Sequence, residues 1–323
     1  MLALEVKKQL LSVSQDILLD EDFHESLAPA IMKYHQLLCE VLRIDPNGEQ
    51  DRAHIETEKG NAIGTFWAAN CVKEIFRTQR FVKGLEQAIK DLLNSGQKPV
   101  HILYAGTGPF ATLALPIMLT FQPTDVQFTL LEINQNSYEK LKELLETLDL
   151  LPYVKRFDLA DATNYVLKDH DVDIVLSETM NLALFKEPQV SIMMNLSRQL
   201  KGRKIYLPQE IKVTLCKQGN GNNLERLKTL IQFDQSCLKK LLKRTKLKQE
   251  VFEKVDLDVD LKQGDRLCYL TEIHIYKELK LGLNDSSLTL LKYVKPSIQL
   301  GEHQLSVQYQ VSNNPGFVIE NRS

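Results

Sequence analysis

The sequence predicts an α/β protein in three parts. A helical region spans residues 1–98, a doubly wound parallel sheet spans 99–208, and a β-rich, barrel-like part spans 209–323. Three observations carry this reading. Short apolar runs alternate with helical patterns from residue 99 to about 215, which is the rhythm of strand–helix–strand units. A glycine turn, Gly106-Thr107-Gly108, stands between one such run and the helical stretch after it, as at the ligand-binding edge of open α/β sheets. Beyond residue 209 the apolar period shortens to two, most clearly in Leu305, Val307, Tyr309 and Val311.

In the first part, Ile31, Tyr34, Leu37, Leu38, Val41 and Leu42 recur at helical spacing. So do Phe66, Ala69, Val72, Ile75 and Phe76, followed by Phe81, Leu85, Ala88, Ile89, Leu92 and Leu93. Pro46-Asn47-Gly48 separates the groups as a turn, and Gly96 closes the second in a capping position. In the middle part the predicted strands are 100–105, 126–133, 154–159, 173–176 and 204–207, with helices over 111–121, 137–148 and 188–200. The last part reads as β-rich over 211–216, 251–259, 267–276, 287–294 and 305–311, with one helical pattern over 224–247.

Bulk composition excludes several classes. The 323 residues carry a net charge of -2, with 43% hydrophobic and 25% charged residues. These are the values of a soluble globular protein, with no field favouring nucleic acid or an anionic membrane. Five cysteines at wide spacing, without a CxxC pair, point to reduced thiols rather than disulfides or zinc, and hence to the cytoplasm. Glu5, Lys7, Lys8, Asp16 and Asp20 leave no secretory apolar stretch near the start. No apolar run reaches membrane-spanning length. Seven scattered histidines give no metal-ligand spacing, so no metal is expected. The basic run Lys239, Lys240, Lys243, Arg244, Lys246 and Lys248 reads as a solvated helix face or as a docking patch for an acidic partner.

The chemistry gathers at the predicted strand ends. Tyr104 and Ala105 lead into Gly106, Thr107 and Gly108, where the missing side chains let the backbone bend and approach a ligand. Glu132 ends the next strand, either as a solvated strand end or to accept the ribose hydroxyls of a nucleoside. Pro109 and Phe110 stand where a dinucleotide site needs its third glycine, which argues against NAD. S-adenosylmethionine has no phosphate and requires only the close approach and the ribose carboxylate. Asp161-Ala162 follows the third strand, where Asp161 accepts from an adenine amine or caps the next helix. Past the fourth strand stand Glu178 and Glu187, nine residues apart, with Met180 and Asn181 in the loop between them. Together they can form an acidic pincer for a cationic group. Glu187 also suits a helix N-terminus opened by Pro188.

The motif from Ile102 to Phe110, with Glu132, Asp161-Ala162 and Ser177-Glu178, resembles a class I S-adenosylmethionine-dependent methyltransferase with its Rossmann-like sheet. Ser177-Glu178-Thr179-Met180-Asn181, Leu184-Phe185 and Glu187 are similar to the double-glutamate loop of the protein arginine methyltransferases. Ile205-Tyr206-Leu207-Pro208 looks like that family's entry to its β-barrel, and Phe233-Asp234-Gln235-Ser236-Cys237-Leu238 like a barrel segment. The resemblance covers roughly residues 99–240. Tyr104 replaces the family's acid, Phe110 its third glycine and Thr179 its aromatic; its Tyr-Phe-x-x-Tyr and Thr-His-Trp motifs are not found. The resemblance implies S-adenosylmethionine as cofactor, with Arg77 or Arg80 gripping its carboxylate. It implies Glu178 and Glu187 as the catalytic pair, orienting the acceptor and stabilising its charge.

The function expected is N-methylation of a guanidine- or amine-bearing small molecule or peptide. Alternatives are a protein arginine N-methyltransferase, an O- or C-methyltransferase, and a non-catalytic cofactor-binding scaffold. The expected partners are the acceptor and a second copy of the chain in a homodimer, without nucleic acid or membrane. The N-terminal region is expected to cover the substrate.

Overall fold

The computed structural model describes residues 2–19, 24–45, 47–220, 223–246, 252–296 and 298–322. The chain opens with helices α1 (Leu2–Leu18), α2 (His24–Leu42) and the single turn α3 (Glu49–Arg52). A hairpin of β1 (Ile55–Thr57) and β2 (Gly60–Ala62) follows, then α4 (Thr65–Asn70) and the long α5 (Ile75–Asn94). This region was expected to be helical throughout, and the hairpin corrects that reading. Its two-residue tip, Glu58-Lys59, is braced by Thr57, whose Oγ1 donates to the Gly60 carbonyl at 2.6 Å and accepts the Lys59 N–H at 3.1 Å. Pro46 lies outside the described residues.

The central sheet contains β3 (Val100–Ala105), β4 (Val126–Glu132), β5 (Val154–Leu159), β6 (Ile174–Ser177) and β7 (Ile205–Leu207). Helices α6 (Leu115–Thr120), α7 (Gln135–Thr147) and α8 (Gln189–Gln199) lie between strands. All pairings are parallel, in the spatial order β5-β4-β3-β6-β7. Every residue of β3 and β6 is buried, which is why these strands read as continuous apolar runs rather than alternating ones. The chain steps outward from β3 to β5 and then returns to place β6 on the other side of β3. At such a reversal the loops leaving neighbouring strands part in opposite directions and open a crevice at their carboxyl ends. The glycine turn, Glu132 and Glu178 follow or end the three strands that meet there. Helix α6 is shorter than the 111–121 expected, beginning only at Leu115.

The remaining strands are β8 (Glu210–Gln218), β9 (Leu224–Asp234), β10 (Val255–Leu261), β11 (Arg266–Tyr276), β12 (Leu279–Leu281), β13 (Lys292–Tyr293), β14 (Gly301–Gln310) and β15 (Gly316–Asn321), with α9 (Gln235–Lys246) after β9. They form two antiparallel sheets, β12-β11-β8-β9 with β13 on β11, and β10-β14-β15. Two expectations fail here. Residues 224–234 form a strand, not the first half of a helix. Leu224, Leu227 and Leu230 are spaced by three, as on a helix. The register with β8 slips once between Val213 and Thr214 and again between Leu215 and Cys216, and each bulge inserts one residue into the period of two. Residues 287–294 give one helical turn, Ser287–Thr289, and the two-residue β13 instead of a full strand. Of the basic run, Lys248 lies outside the described residues, while Lys239, Lys240 and Lys243 lie on α9.

One apolar core is continuous from Leu10 in α1, through Phe81 in α5 and Phe128 in β4, to Phe317 in β15. The helical region and the β-rich part are therefore packed onto the central sheet as a single body. A small second cluster, Cys216, Cys268 and Leu270, lies apart from that core on β8 and β11.

Candidate active site

A cavity of about 320 Å³ opens at the switch point of the sheet. One side of it is the glycine turn. Gly106 and Gly108 both have left-handed backbones, with φ of 79° and 61°. The Gly106 N–H donates to the Leu131 carbonyl at 2.9 Å, so the turn is folded back over the end of β4. A Cβ on Gly106 would overlap the Thr179 side chain, so glycine is required here by both φ and space.

Glu132, buried at the end of β4, fixes this turn. One carboxylate oxygen accepts the Gly108 N–H at 2.7 Å and the Thr107 hydroxyl at 3.4 Å. The other accepts the Asn134 N–H at 2.8 Å. Burial raises its pKa above the ordinary carboxylate value, while the Asn134, Gly108, Ile133 and Thr107 donors pull it back. Glu132 lines the cavity, and the Thr107 contact, the longest of these, is the one a ligand donor would replace. Asn134 continues the network by capping α7 and meeting Thr65, which in turn contacts Ser137 at 2.9 Å.

Asp161 and Ala162 line the same cavity beside the end of β5. One Asp161 oxygen accepts the Thr163 N–H at 2.8 Å, a local turn bond of the capping kind. Tyr104 also lines the cavity and is buried. Burial first, then Glu178 and Glu132, hold its phenol well above the ordinary range despite Arg77, so it stays a hydrogen-bond donor. Ala105 lies one residue below, in the β3 ladder, and is not part of the cavity wall.

The opposite side is the loop of residues 178–187. Met180 and Asn181 line the cavity with Glu178 and Glu187. Arg77, on α5, forms an ion pair with Glu178, and both side chains are about nine-tenths buried. The second oxygen of Glu178, Oε1, is buried and meets no hydrogen-bond partner among the described residues. Burial opposes the charge on Arg77, but Glu178 outweighs it and holds the guanidinium firmly protonated. For Glu178 burial prevails, and its pKa stays above the ordinary carboxylate value even with Arg77 adjoining. Glu187 is pushed up to about 7, first by burial and then by Glu178, with Arg77 and Asn181 acting against the shift.

Arg80 does not join them. The structure turns it away to Asp285 at 2.6 Å and the Lys280 carbonyl at 2.7 Å, with its guanidinium over the Phe76 ring. Three positions separate it from Arg77, so the two side chains leave α5 on neighbouring rows, and only the buried Arg77 faces the crevice.

Sequence reasoning missed the groups that hold this loop. Ala183, Leu184 and Lys186 all adopt left-handed backbones, with φ of 53°, 60° and 68°. The Ala183 N–H donates to Thr271 Oγ1 at 3.1 Å, and the Tyr309 hydroxyl donates to the Leu184 carbonyl at 2.8 Å. The Lys186 N–H donates to the Pro315 carbonyl at 2.8 Å, and its carbonyl accepts the Asn61 N–H from β2 at 2.7 Å. Gly60 makes that last approach feasible, since a Cβ there would sit 2.8 Å from the Lys186 carbonyl oxygen. The signal available was weak: Gly60 between short polar stretches, and isolated residues more than eighty positions downstream.

No protein-family model matches the chain, and no curated protein matches it in sequence. Solved structures do. The Trypanosoma brucei PRMT1 enzyme–prozyme heterotetrameric complex with AdoHcy aligns with 77% of this chain and 90% of its own, at a TM-score of 0.53 and 11% identity. Arabidopsis thaliana protein arginine methyltransferase 10 aligns with 74% of this chain and 94% of its own, at a TM-score of 0.48 and 9% identity. The likeness to the Trypanosoma structure is one of fold: the chain shares its architecture, a five-stranded parallel sheet with a β-rich part after it. Among the described residues, no group of three or more His, Cys, Asp or Glu side chains is placed to hold a metal ion. No described helix is long and apolar enough to cross a membrane.

Proposed function

We propose that the protein is an S-adenosylmethionine-dependent methyltransferase acting on a guanidine- or amine-bearing small molecule or peptide. One observation carries the reading. A single cavity brings Glu132 and the glycine turn together with Glu178 and Glu187, and Glu178 presents a buried oxygen that no described residue satisfies. A buried unpaired carboxylate oxygen is costly unless a ligand supplies the donor. The AdoHcy in the Trypanosoma structure supports the choice of cofactor.

The residues fit that cofactor. Glu132 would take the ribose hydroxyls, the Gly106–Gly108 turn would lie against the nucleoside, and Asp161-Ala162 would border the adenine. Arg77 has five N–H donors, enough to keep Glu178 and grip a carboxylate as well, and Tyr104 adds a hydroxyl donor. The cofactor supplies an electrophilic methyl group on a sulfonium. Everything else falls to the protein. Arg77 neutralises Glu178, so the pincer presents close to one negative charge when Glu187 is ionised, which suits a single cation. Glu178 and Glu187 orient that cation by charge-assisted hydrogen bonds. Glu187, with its value near 7, is suited to take up the proton that the acceptor nitrogen gives up at neutral pH.

Helices α1, α2, α4 and α5 with the hairpin would act as cover for the cavity, within a division at 1–98, 99–208 and 209–323. Thr57, Asn61 and Ala62 of the hairpin line it. The five free cysteines suit a reducing compartment such as the cytoplasm. Assembly with a second copy of the chain is the matching proposal for quaternary structure, in keeping with the multichain Trypanosoma complex. The fold likeness favours one second reading, a protein arginine N-methyltransferase.

Calorimetry with S-adenosylhomocysteine tests the cofactor, and one-to-one saturable binding is expected. Transfer of a labelled methyl group to a panel of guanidines, amines and arginine-rich peptides tests the acceptor. Absence of cofactor binding would sink the main reading; transfer confined to the peptides would replace it by the second.

A further inference from the structure

We propose that Gln189 is the positioning residue of this site, holding Glu178 and Glu187 at one separation and in register with the glycine turn. Gln189 is the first residue of α8 and is 1% exposed. Its amide oxygen accepts from the Thr179 N–H at 2.9 Å, the Thr179 hydroxyl at 2.9 Å and the Ser177 hydroxyl at 3.3 Å. Its amide nitrogen donates to the Ser177 carbonyl at 3.0 Å. Both chain neighbours of Glu178 are thus bound by one side chain, whose own backbone lies two residues after Glu187. The two ends of the loop are closed onto each other.

A third element joins through Thr179. Its methyl group occupies the space that a Cβ on Gly106 would need. The loop and the turn therefore interlock, and the residue that orients Thr179 also sets how the glutamates stand against the turn.

The clamp is needed because the loop does not favour its own shape. Ala183, Leu184 and Lys186 lie in the left-handed region, where a Cβ crowds the following carbonyl. Contacts to Thr271, Tyr309, Pro315 and Asn61 hold these residues, towards the Glu187 end. At the Glu178 end the loop is held by the Arg77 ion pair and by Gln189. Only an amide of this length offers an acceptor for several donors together with a donor for Ser177. Methionine matches its reach and supplies neither, and an ionised glutamate loses the donor.

The assignment rests on the proposed function only for what the geometry serves, and its test does not require turnover. The variants are Gln189→Met and, as a milder change, Thr179→Val, which keeps the shape and the N–H bond but removes the hydroxyl. Both are made in the full chain with retained folding checked by thermal melting. The readout is the titration of Glu187, followed by NMR on protein labelled at the glutamate carboxyl carbons. Glu187 senses burial, Glu178, Arg77 and Asn181, so it reports directly on the spacing of the pair. In the unmodified protein the midpoint is expected near 7. Gln189→Met should move it towards the ordinary carboxylate value by about one pH unit or more, because a released loop is better hydrated, and Thr179→Val should move it less in the same direction. Where transfer to an acceptor is found, Gln189→Met should lower kcat about tenfold or more while the KM for cofactor stays within about threefold. Folded variants with an unchanged Glu187 titration would overturn the assignment, and should Gln189→Met fail to fold, Thr179→Val decides alone. Failure of the unmodified protein to bind S-adenosylhomocysteine would count against the proposed function and leave the clamp to be judged on the titration.

Discussion

The two walls of the cavity are built on opposite plans. On the glycine-turn side, the polar groups are satisfied close to home: Glu132 is bonded to Gly108, Thr107 and Asn134, all at the ends of β3 and β4. On the other side, Glu178 holds an unpartnered buried oxygen, Glu187 is displaced to about 7, and the loop between them is held by residues from β2, α8, β11 and β14. The first wall is bonded within the ends of its own two strands. The second is held in place by the rest of the molecule and keeps a buried carboxylate oxygen unpartnered among the described residues.

The contrast can be tested, and the largest effect should come from the ion pair. Glu178→Ala strands the buried Arg77 guanidinium, and denaturant unfolding should show a loss of about 3–5 kcal/mol. The double variant Arg77→Met with Glu178→Ala should recover much of it. Equal losses in the single and double variants would mean that the pair is not coupled. Next, Gly106→Ala meets both a left-handed backbone and the Thr179 side chain, and should cost about 2–3 kcal/mol. Adding Thr179→Ser, which removes the obstructing methyl group, should return about half. A full return would assign the whole cost to the contact and none to φ.

On the self-sufficient wall, Glu132→Ala should weaken S-adenosylhomocysteine binding by about 1–3 kcal/mol by calorimetry, through lost ligand hydrogen bonds and a loosened turn. An unchanged affinity would remove Glu132 from the ligand. The pH response should belong to the strained wall. The value of Glu187 is raised in the folded state from an ordinary 4.5 to about 7. The unfolded chain therefore loses this proton first, and the associated stability is present below about 4.5 and lost as pH rises through about 7. Unfolding free energies across that interval should fall by about 2–3 kcal/mol more in the unmodified protein than in Glu187→Gln. Parallel curves would show that Glu187 is not displaced. The smallest effect should come from Arg80→Ala, which lies outside the cavity and pairs with the partly exposed Asp285. A change beyond about 1 kcal/mol in cofactor affinity would return Arg80 to the site.

The same contrast explains what could be read from the sequence. The parallel strands, the glycine turn and Glu132 depend on neighbours in the chain, so periodicity and spacing reveal them. The separation of Glu178 and Glu187 was visible too, because the loop is short. That Arg77 rather than Arg80 enters the cavity depends on the rotation of α5 against the sheet, which no local pattern encodes. Gln189, Thr271 and Tyr309 are ordinary polar residues of a helix and two strands until the fold brings them to one loop. β9 was misread because two bulges gave a strand the apolar spacing of a helix, and the β1–β2 hairpin because its three-residue strands are too short to show a period.

The bond from Tyr309 to Leu184 spans 125 residues, and the Pro315 carbonyl grips Lys186 from still further along the chain. A chain emerging from the ribosome can close its parallel sheet, its glycine turn and Glu132 well before either partner has been synthesised. The loop between the glutamates must wait, because its left-handed residues have little reason to hold their shape until β14 arrives. Nascent protein should therefore form the glycine turn early and the loop between Glu178 and Glu187 last. The loop between the glutamates is thus completed only once the final strands are in place.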